Sequence, residues 1–561
     1  MRKRKPSQAK QRNVRIIRWR RSSTERTQST ATSPETTSRG RTKSLISLRA
    51  GLAVVGGRAA GALSRRLHLG GGTSIAGIVA QRLYPDIVGH LAAELELGSV
   101  VVTGTNGKTT TSGFIAAILR EAGLRVWHNR EGSNLMGGVA NTLVMRALPT
   151  GHLRGEGRAI SIFEVDEAVV PQVVQVVSPR VAVFTNLFRD QLDRYGEVDS
   201  VAARWHQAVD TLPKSTTLVL NADDPTIASL GASFHGQVLY FGIDDPALDL
   251  KGSFSGRHQV IDTRTCPRCG SDYTYTIRLY SHMGHYQCPH CGLSRPQPDV
   301  RVVKVHADSF DRLRISVAIA TEQHELVIPL PGIYNIYNAL TAITAAQALQ
   351  LNWDPVVSGI EQFKPVFGRG EQVQIAGHTV RLLLAKNPTG FNEVLRTLFS
   401  DGTARHVLFV LNDNTADGRD VSWIWDVDFE RVVQKTISLT VAGTRALDLA
   451  LRLKYAGVAE QEMAIVTSAP LRTMKRQVPD QRLKQGAKNR QARSTLSINK
   501  TVEHTETPRR YGIAAALDAA VQQTPVGETL FIVPTYTGLL EIHRELERRG
   551  LTPHYWEGSN A

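Results

Sequence analysis

The stretch Ser99-Val100-Val101-Val102-Thr103-Gly104-Thr105-Asn106-Gly107-Lys108-Thr109-Thr110-Thr111 decides how this chain folds. A β-type run from Ser99 to Val102 meets a glycine-rich turn, and an apolar-periodic helix follows through Phe114, Ile115, Ile118 and Leu119. Strand, glycine loop and helix in that order are the setting of a phosphate-binding loop. Small residues let backbone N–H groups close around phosphate oxygens, and the helix N-terminus adds partial positive charge. Lys108 is placed to reach the terminal phosphates of a nucleotide, and the Thr109 hydroxyl to ligate Mg2+. Gly104, Thr105, Asn106, Gly107, Lys108, Thr109 and Thr110 are therefore the expected nucleotide contacts. One position departs from the general pattern: Val102 stands where a glycine is usual.

Outward from this loop, Ala159 to Val165, Val181 to Thr185 and Thr217 to Leu220 read as further buried strands with helices between them. The alternation predicts an α/β fold with a mainly parallel sheet. Helix returns at Asn335 to Leu349. From about Gly377 a second α/β pattern begins, with strands at Thr379 to Ala385, His406 to Leu411, Lys435 to Val441 and Thr529 to Pro534. We read an ATP-binding domain over 46–370 and a C-terminal Rossmann-like α/β domain over 371–561. A disordered basic tail over 1–45, a flexible joint at Gly70-Gly71-Gly72 and a disordered basic insert at about 471–510 complete the expected organisation.

The formal net charge of +16 is unevenly spread. Residues 1–43 hold 14 Lys/Arg against 2 Asp/Glu, and residues 471–510 hold 11 against 3, which leaves the remaining body slightly acidic. Such polar, low-aromatic segments read as solvated tail and loop, and their sharper reading is contact with an anionic membrane surface. Nucleic acid is not an expected partner. The segment Ile46 to Leu63 is mildly apolar, but Arg49 and Arg58 interrupt it, so no transmembrane helix is expected.

The 4 cysteines form two knuckles, Cys266-Pro267-Arg268-Cys269-Gly270 and Cys288-Pro289-His290-Cys291-Gly292. Four thiolates at this spacing suit a tetrahedral structural Zn2+ in a ribbon at about 255–300. The pattern belongs to a reducing compartment, which implies a cytoplasmic protein. If zinc takes every thiolate, none is left to act as a nucleophile. Glutamine hydrolysis would then need another protein.

Further segments carry a family likeness. The loop wording, with Val102 in place, resembles that of the Mur ligases and folylpolyglutamate synthases. Glu164-Val165-Asp166-Glu167, Thr185-Asn186-Leu187, Asp190-Gln191-Leu192-Asp193, Asn221-Ala222-Asp223-Asp224-Pro225, Gly332-Ile333-Tyr334-Asn335-Ile336-Tyr337-Asn338-Ala339 and Phe367-Gly368-Arg369-Gly370-Glu371 match in family order. The resemblance implies a Mur-type ATPase fold over roughly 95–390, ATP and Mg2+ as cofactors, and nucleotide contacts at Asn221, Asn335 and Arg369. A carboxylate at the end of a buried strand beside the loop is the expected second Mg2+ ligand, here Glu164 or Glu167. Arg369, at a domain junction, is placed to clamp a transferring phosphate.

A zinc ribbon inside such a domain, followed by Asp413-Asn414-Thr415-Ala416-Asp417-Gly418-Arg419-Asp420-Val421-Ser422-Trp423-Ile424-Trp425-Asp426, resembles the MurT family. Lys386-Asn387-Pro388-Thr389-Gly390-Phe391-Asn392-Glu393 and Pro534-Thr535-Tyr536-Thr537 extend the likeness. It implies the synthetase subunit of a lipid II isoglutaminyl synthase. That activity amidates the α-carboxylate of D-glutamate through an acyl phosphate, using ammonia from a GatD-like glutamine amidotransferase subunit. It also implies that an aspartate of the acidic loop, Asp413 or Asp417, completes the partner's Cys–His pair as a triad. Such a protein works at the inner face of the membrane, where lipid II is held.

Two departures separate the chain from amino-acid-adding Mur ligases. The helix Val201 to Leu212 offers Arg204 and His206 but no lysine to carbamylate, and too few residues precede the loop for a UDP-binding domain. Both weigh against the alternative, a Mur-type ligase that joins an amino acid to a carboxylate.

Overall fold

The computed structural model describes residues 36–67, 74–129, 133–155, 158–190, 198–250, 262–365, 368–469 and 511–552. The predicted basic insert at 471–510 and the Gly70-Gly71-Gly72 joint lie outside them. Residues 1–35 of the predicted tail do too, but residues 36–45 belong to a helix, α1 (Thr36–Arg66). That corrects a tail drawn to residue 45.

Next come α2 (Ile75–Leu83) and α3 (Ile87–Ala92), then β1 (Ser99–Thr103), α4 (Lys108–Glu121), β2 (Arg125–His128), α5 (Met136–Val144) and β3 (Ala159–Glu164). The series continues with α6 (Val170–Val177), β4 (Val181–Phe184), α7 (Val198–Asp210), β5 (Thr217–Asn221), α8 (Pro225–Ser229) and β6 (Gln237–Ile243). A hairpin, β7 (Thr274–Tyr280) and β8 (Met283–Gln287), stands apart. Beyond it lie β9 (Val300–Ser309), β10 (Arg312–Ile319), β11 (Glu322–Ile328), α9 (Ile333–Ala348) and α10 (Trp353–Glu361).

The first sheet runs β11-β10-β9-β6-β5-β4-β1-β3-β2. It is parallel from β2 to β9 and closes with an antiparallel edge at β10 and β11. Strand β1 is central and wholly buried, as its valine run requires of a strand covered on both faces. Val100 and Val102 point into one core with Phe114 and Ile118 of α4 and Ile343 of α9. Val101 points into the other with Phe163, Phe184 and Trp205. Val102 is thus a core position, which is why no glycine is needed there.

The second sheet runs β12-β13-β17-β14-β15-β16. Its elements are β12 (Arg369–Ile375), β13 (His378–Leu383), α11 (Pro388–Phe399), β14 (Arg405–Val410), β15 (Thr436–Gly443), α12 (Ala446–Ala456), β16 (Met463–Thr467), α13 (Gly512–Gln522), β17 (Thr529–Pro534) and α14 (Tyr536–Arg548). All neighbours are parallel except β12 and β13. The two sheets are tied together where Arg381 pairs with Asp311 and where Phe310 packs edge-on against Phe531, centroids 5.3 Å apart.

Every predicted strand and the long predicted helix are present, within a residue or two at the ends. The pattern reading missed β2, β6 to β12 and β16. Most of these are edge strands, or carry charged residues on an open face, as Lys304 and His306 do in β9. That dilutes the buried-strand signal.

Trp205 is fully buried on α7, and its indole N–H donates to the Glu167 carbonyl at 2.9 Å. Trp205→Ala should lower the unfolding free energy of this unit by about 3–5 kcal/mol, read from its urea midpoint and slope. An unchanged midpoint would contradict the packing described.

Candidate active site

Gly107 turns the chain into α4 with φ +84°, a conformation that favours glycine, and a Cβ there would sit 2.1 Å from Asn338 Oδ1. The loop is braced from the next strand. The Asn106 N–H donates to Asn186 Oδ1 at 2.8 Å, the Asn186 amide returns a bond to the Asn106 carbonyl at 3.0 Å, and the Thr105 N–H reaches the Asn186 carbonyl at 3.0 Å. The Thr185-Asn186-Leu187 segment therefore acts as a clamp on the phosphate loop. Asn338 completes it from α9 by accepting from the Thr111 hydroxyl at 3.2 Å.

The loop's two functional side chains are drawn to different acids. Lys108 Nζ donates to Glu167 Oε2 at 3.0 Å and to the carbonyls of Gly104 and Thr105. The Thr109 hydroxyl donates to Glu164 Oε1 at 3.0 Å and accepts from Arg369 Nη2 at 2.7 Å. Arg369 opens β12, so the second sheet delivers a guanidinium to the first sheet's phosphate loop. Two oxygens side by side in the octahedral shell of Mg2+ lie about 2.9 Å apart, which the Thr109–Glu164 spacing fits.

These groups line a cavity of 370 Å³ between the sheets. Glu164, Asp166, Glu167, Asp190 and Glu393 face it, against Lys108, Arg369 and Lys386. The surplus of carboxyl groups suits a site that takes up a divalent cation. Lys386, just past β13, donates to Asp190 Oδ2. Burial works against its charge, but the Asp190 and Glu167 carboxylates outweigh burial and hold its pKa above the ordinary lysine value. Burial raises the Glu393 carboxyl although Arg396 opposes the shift.

Of the residues predicted from sequence, Thr105, Asn106, Gly107, Lys108, Thr109, Thr110, Glu164, Glu167, Asn335 and Arg369 all line the cavity. Gly104 contributes its carbonyl to Lys108. Asn221 is not among the residues that line this cavity. It is fully buried, its amide donates to the Thr185 carbonyl at 3.0 Å, and its oxygen accepts from the Asp223 N–H. Its work is to fix the clamp strand. Lys386 and Asn387 were quoted without a role, yet Lys386 lines the cavity on Asp190, and Asn387 exchanges amide bonds with Asn106 of the phosphate loop. Their place after a parallel strand's C-terminal end was the available signal.

The four cysteines converge, with Sγ atoms all within 4.8 Å of one another and none in a disulfide. Sulfurs around tetrahedral zinc lie about 3.8 Å apart, given Zn–S near 2.3 Å. The Cys266–Cys291 and Cys269–Cys288 separations are 3.5 and 3.4 Å. Gly270 and Gly292 both have φ +74°, a left-handed turn that favours glycine and closes each knuckle.

The two candidate aspartates of the acidic loop have opposite surroundings. Asp417 is buried and accepts from the Thr537 N–H at 2.8 Å and from its hydroxyl, at the start of α14. Burial pushes its carboxyl up. Asp413 sits nearer the surface, held by the Thr444 hydroxyl at 2.8 Å and Arg445 at 3.3 Å.

Known proteins are similar to this chain in sequence and in fold. The Mur ligase middle domain family matches residues 102–346, and the MurT ligase C-terminal family matches residues 384–489. The MurT subunit of the glutamine-hydrolyzing lipid II isoglutaminyl synthase of Staphylococcus aureus (strain COL) is 34% identical over 388 residues, spanning 69% of this chain and 84% of that protein. The chain belongs to the MurT family. Its counterpart from Streptococcus pneumoniae (strain ATCC BAA-255 / R6) is 32% identical over 413 residues, spanning 73% and 88%. The fold is shared with a pseudomurein peptide ligase type C from Methanothermus fervidus, at TM-score 0.54 and 20% identity over 83% of this chain and 81% of that one. MurF from Acinetobacter baumannii aligns at TM-score 0.54 and 15% identity over 84% and 80%. Membership in the MurT family makes the chain an ATP-dependent ligase of peptidoglycan synthesis.

Lys108→Ala should cut ATP turnover by about 10²–10³-fold, the usual cost of removing one charge-stabilising group. Glu164→Gln should leave nucleotide binding in place and weaken its dependence on Mg2+. Turnover of Lys108→Ala within twofold of wild type would overturn this assignment of the site.

Proposed function

We propose that the chain is the synthetase subunit of a lipid II isoglutaminyl synthase. Its reaction converts the α-carboxylate of stem-peptide D-glutamate into an amide. The observation that carries the reading is the shared cavity: a phosphate loop from the first sheet faces Arg369 and Lys386 from the second. An acyl transfer that needs a nucleotide and an acid held together suits such a cleft.

One carboxylate oxygen of the acceptor attacks the γ-phosphorus of ATP as the bond to the β–γ bridging oxygen breaks. Acyl phosphate and ADP result. Ammonia then attacks the acyl carbon, the C–O bond to phosphate breaks, and a proton leaves the nitrogen. Lys108 holds the β- and γ-phosphates, and Arg369 neutralises charge on the moving phosphoryl group. Thr109 and Glu164 would hold Mg2+, whose charge offsets that of the phosphates. Glu167, already paired with Lys108, orients the lysine instead. Lys386 is placed to receive the acceptor's carboxylate or the acyl phosphate. Cys266, Cys269, Cys288 and Cys291 would hold a structural Zn2+.

The whole chain has only 4 cysteines, all in the ribbon, so ammonia from glutamine requires a partner with its own thiol. A GatD-like glutaminase is the expected partner. An apolar face suited to it lies beside Asp413. Leu447, Leu451 and Tyr455 recur every fourth residue along α12 and are 50%, 49% and 72% exposed. Trp425 packs against Tyr455, with ring centroids 5.6 Å apart. Asp413, held by Arg445 just before α12, can orient a histidine across this contact, whereas Asp417 is committed to α14.

The test is reconstitution with the glutaminase subunit. ADP release should require lipid II together with ammonia or glutamine. Asp413→Asn should abolish glutamine-driven turnover and leave turnover with free ammonium salts within twofold; Asp417→Asn should not separate the two. Amino-acid addition without ammonia, or no ADP under any of these conditions, would overturn the reading.

A further inference from the structure

The first helices reverse the usual arrangement of a surface helix. Along α1 the residues turned to the protein are small or modest: Ala50, Ala53, Val54, Gly57, Gly61 and Ser64 are buried. They bring the helix so close to α2 that a Cβ on Gly57 would sit 2.4 Å from the Ala76 carbonyl oxygen. The large aliphatic side chains point outward instead. Leu48, Leu52, Val55 and Leu63 are 62%, 64%, 49% and 57% exposed, and their spacing of i, i+4, i+7 and i+15 sets them on one stripe. Leu67, Ile78 and Leu83 add to the same exposed apolar set. A helix that only had to cover the protein would bury its leucines and expose its alanines.

Charge points the same way. Residues 36–85 contain no Asp or Glu and 8 Lys/Arg. Arg49, Arg65, Arg66 and Arg82 are exposed beside the apolar stripe. Arg58 is used internally, donating to the carbonyls of Val144, Met145 and Ala147 at the end of α5. An apolar stripe edged by guanidinium groups is the composition of a helix that lies in a lipid interface. Among the described residues no helix is long and apolar enough to cross a membrane, so α1 is suited to lie along one.

Exposed apolar residues also lie near the active site. A Cβ on Gly137, in the first turn of α5, would sit 2.8 Å from Ile78 Cγ1 of α2. Leu135, two residues earlier, is 50% exposed and lines the cavity. Ile78 of α2 and Leu135 at the cavity are thus exposed apolar side chains on segments lying between α1 and the cavity.

We propose that α1 and α2 dock on the surface of an anionic bilayer, presenting the cavity mouth at Leu135 to an acceptor held in that bilayer. The proposal rests on the reading that the acceptor is lipid-linked. It places membrane contact on a folded face as well as on the basic segments singled out from the sequence.

The full chain is tested by co-sedimentation with vesicles of phosphatidylcholine alone or of a phosphatidylcholine–phosphatidylglycerol mixture, whose negative surface potential attracts basic residues. Wild type should sediment with the anionic vesicles and not the neutral ones, and less so at high salt. Leu52→Asp/Leu63→Asp and Arg65→Glu/Arg66→Glu should each reduce that binding at least ~10-fold, since apolar burial and headgroup attraction both contribute. Both variants should melt like wild type, keep turnover of lipid II in detergent micelles within about twofold, and lose turnover of lipid II embedded in vesicles. Equal binding by wild type and variants, or equal binding to both vesicle types, would overturn the proposal. So would a wild-type dimer that either variant turns monomeric with vesicle binding unchanged, since the face would then join two copies. Amidation in micelles without vesicle binding would remove the docking face and leave the proposed function standing. Vesicle binding without ADP formation under any condition would do the reverse.

Discussion

A buried positive charge must be compensated, and the architecture is arranged around that need. Lys108 is almost wholly enclosed, with its ammonium on Glu167 and on two loop carbonyls. An unpaired ammonium there would be costly, because desolvation disfavours the charged form. The acids that answer it sit at or just beyond the C-terminal end of β3, which pairs directly with β1 below the loop. Crossover connections place both strand ends at one edge of the sheet, so the chemistry collects there. Arg369 and Lys386 then enter from the second sheet, each bound to an oxygen of the first. The cleft is a mutual neutralisation of charges brought together from the two sheets.

The same economy explains why so many polar motifs are braces. Asn186, Asn338 and Asn387 each hold the phosphate loop from a different element. Asn221 holds the clamp strand from one layer further out. Asn412 and Asp417 do comparable work at the other body, fixing the acidic loop to Thr535 and Thr537. Positional precision in a loop with little apolar content comes from such bonds, since packing supplies little of it. The result is a division within each motif between residues facing the cavity and residues that keep them there.

Two surfaces do not follow the logic of the core. The α12 face with Trp425 and the α1 face both expose large apolar side chains that a solitary surface would hide. They differ in their company: Asp413 and Arg445 flank the first, and among the described residues exposed arginines edge the second. The proposed amidation, with ammonia from one side and a lipid-linked acceptor from another, would use two such faces.

The sequence alone determined the phosphate loop, the strands around it, the four-cysteine cluster and the family, because each rests on local spacing or on a contiguous run of residues. Strand β1 is legible since both its faces are buried, and the ribbon since its ligands come in pairs. Edge strands such as β2 and β16 were not, because half their side chains meet water and their pattern fades into that of loops. Tertiary structure alone decided which polar residues face the cavity. Asn221 and Asn335 read alike in sequence, yet the first points into the sheet and the second into the cleft. Asp413 and Asp417 lie four apart, yet only the fold commits one to a helix start and leaves the other toward solvent. Spacing along a chain fixes neighbours within an element; which element closes over a side chain is set by packing between residues hundreds of positions apart, as Arg369 on Thr109 makes plain.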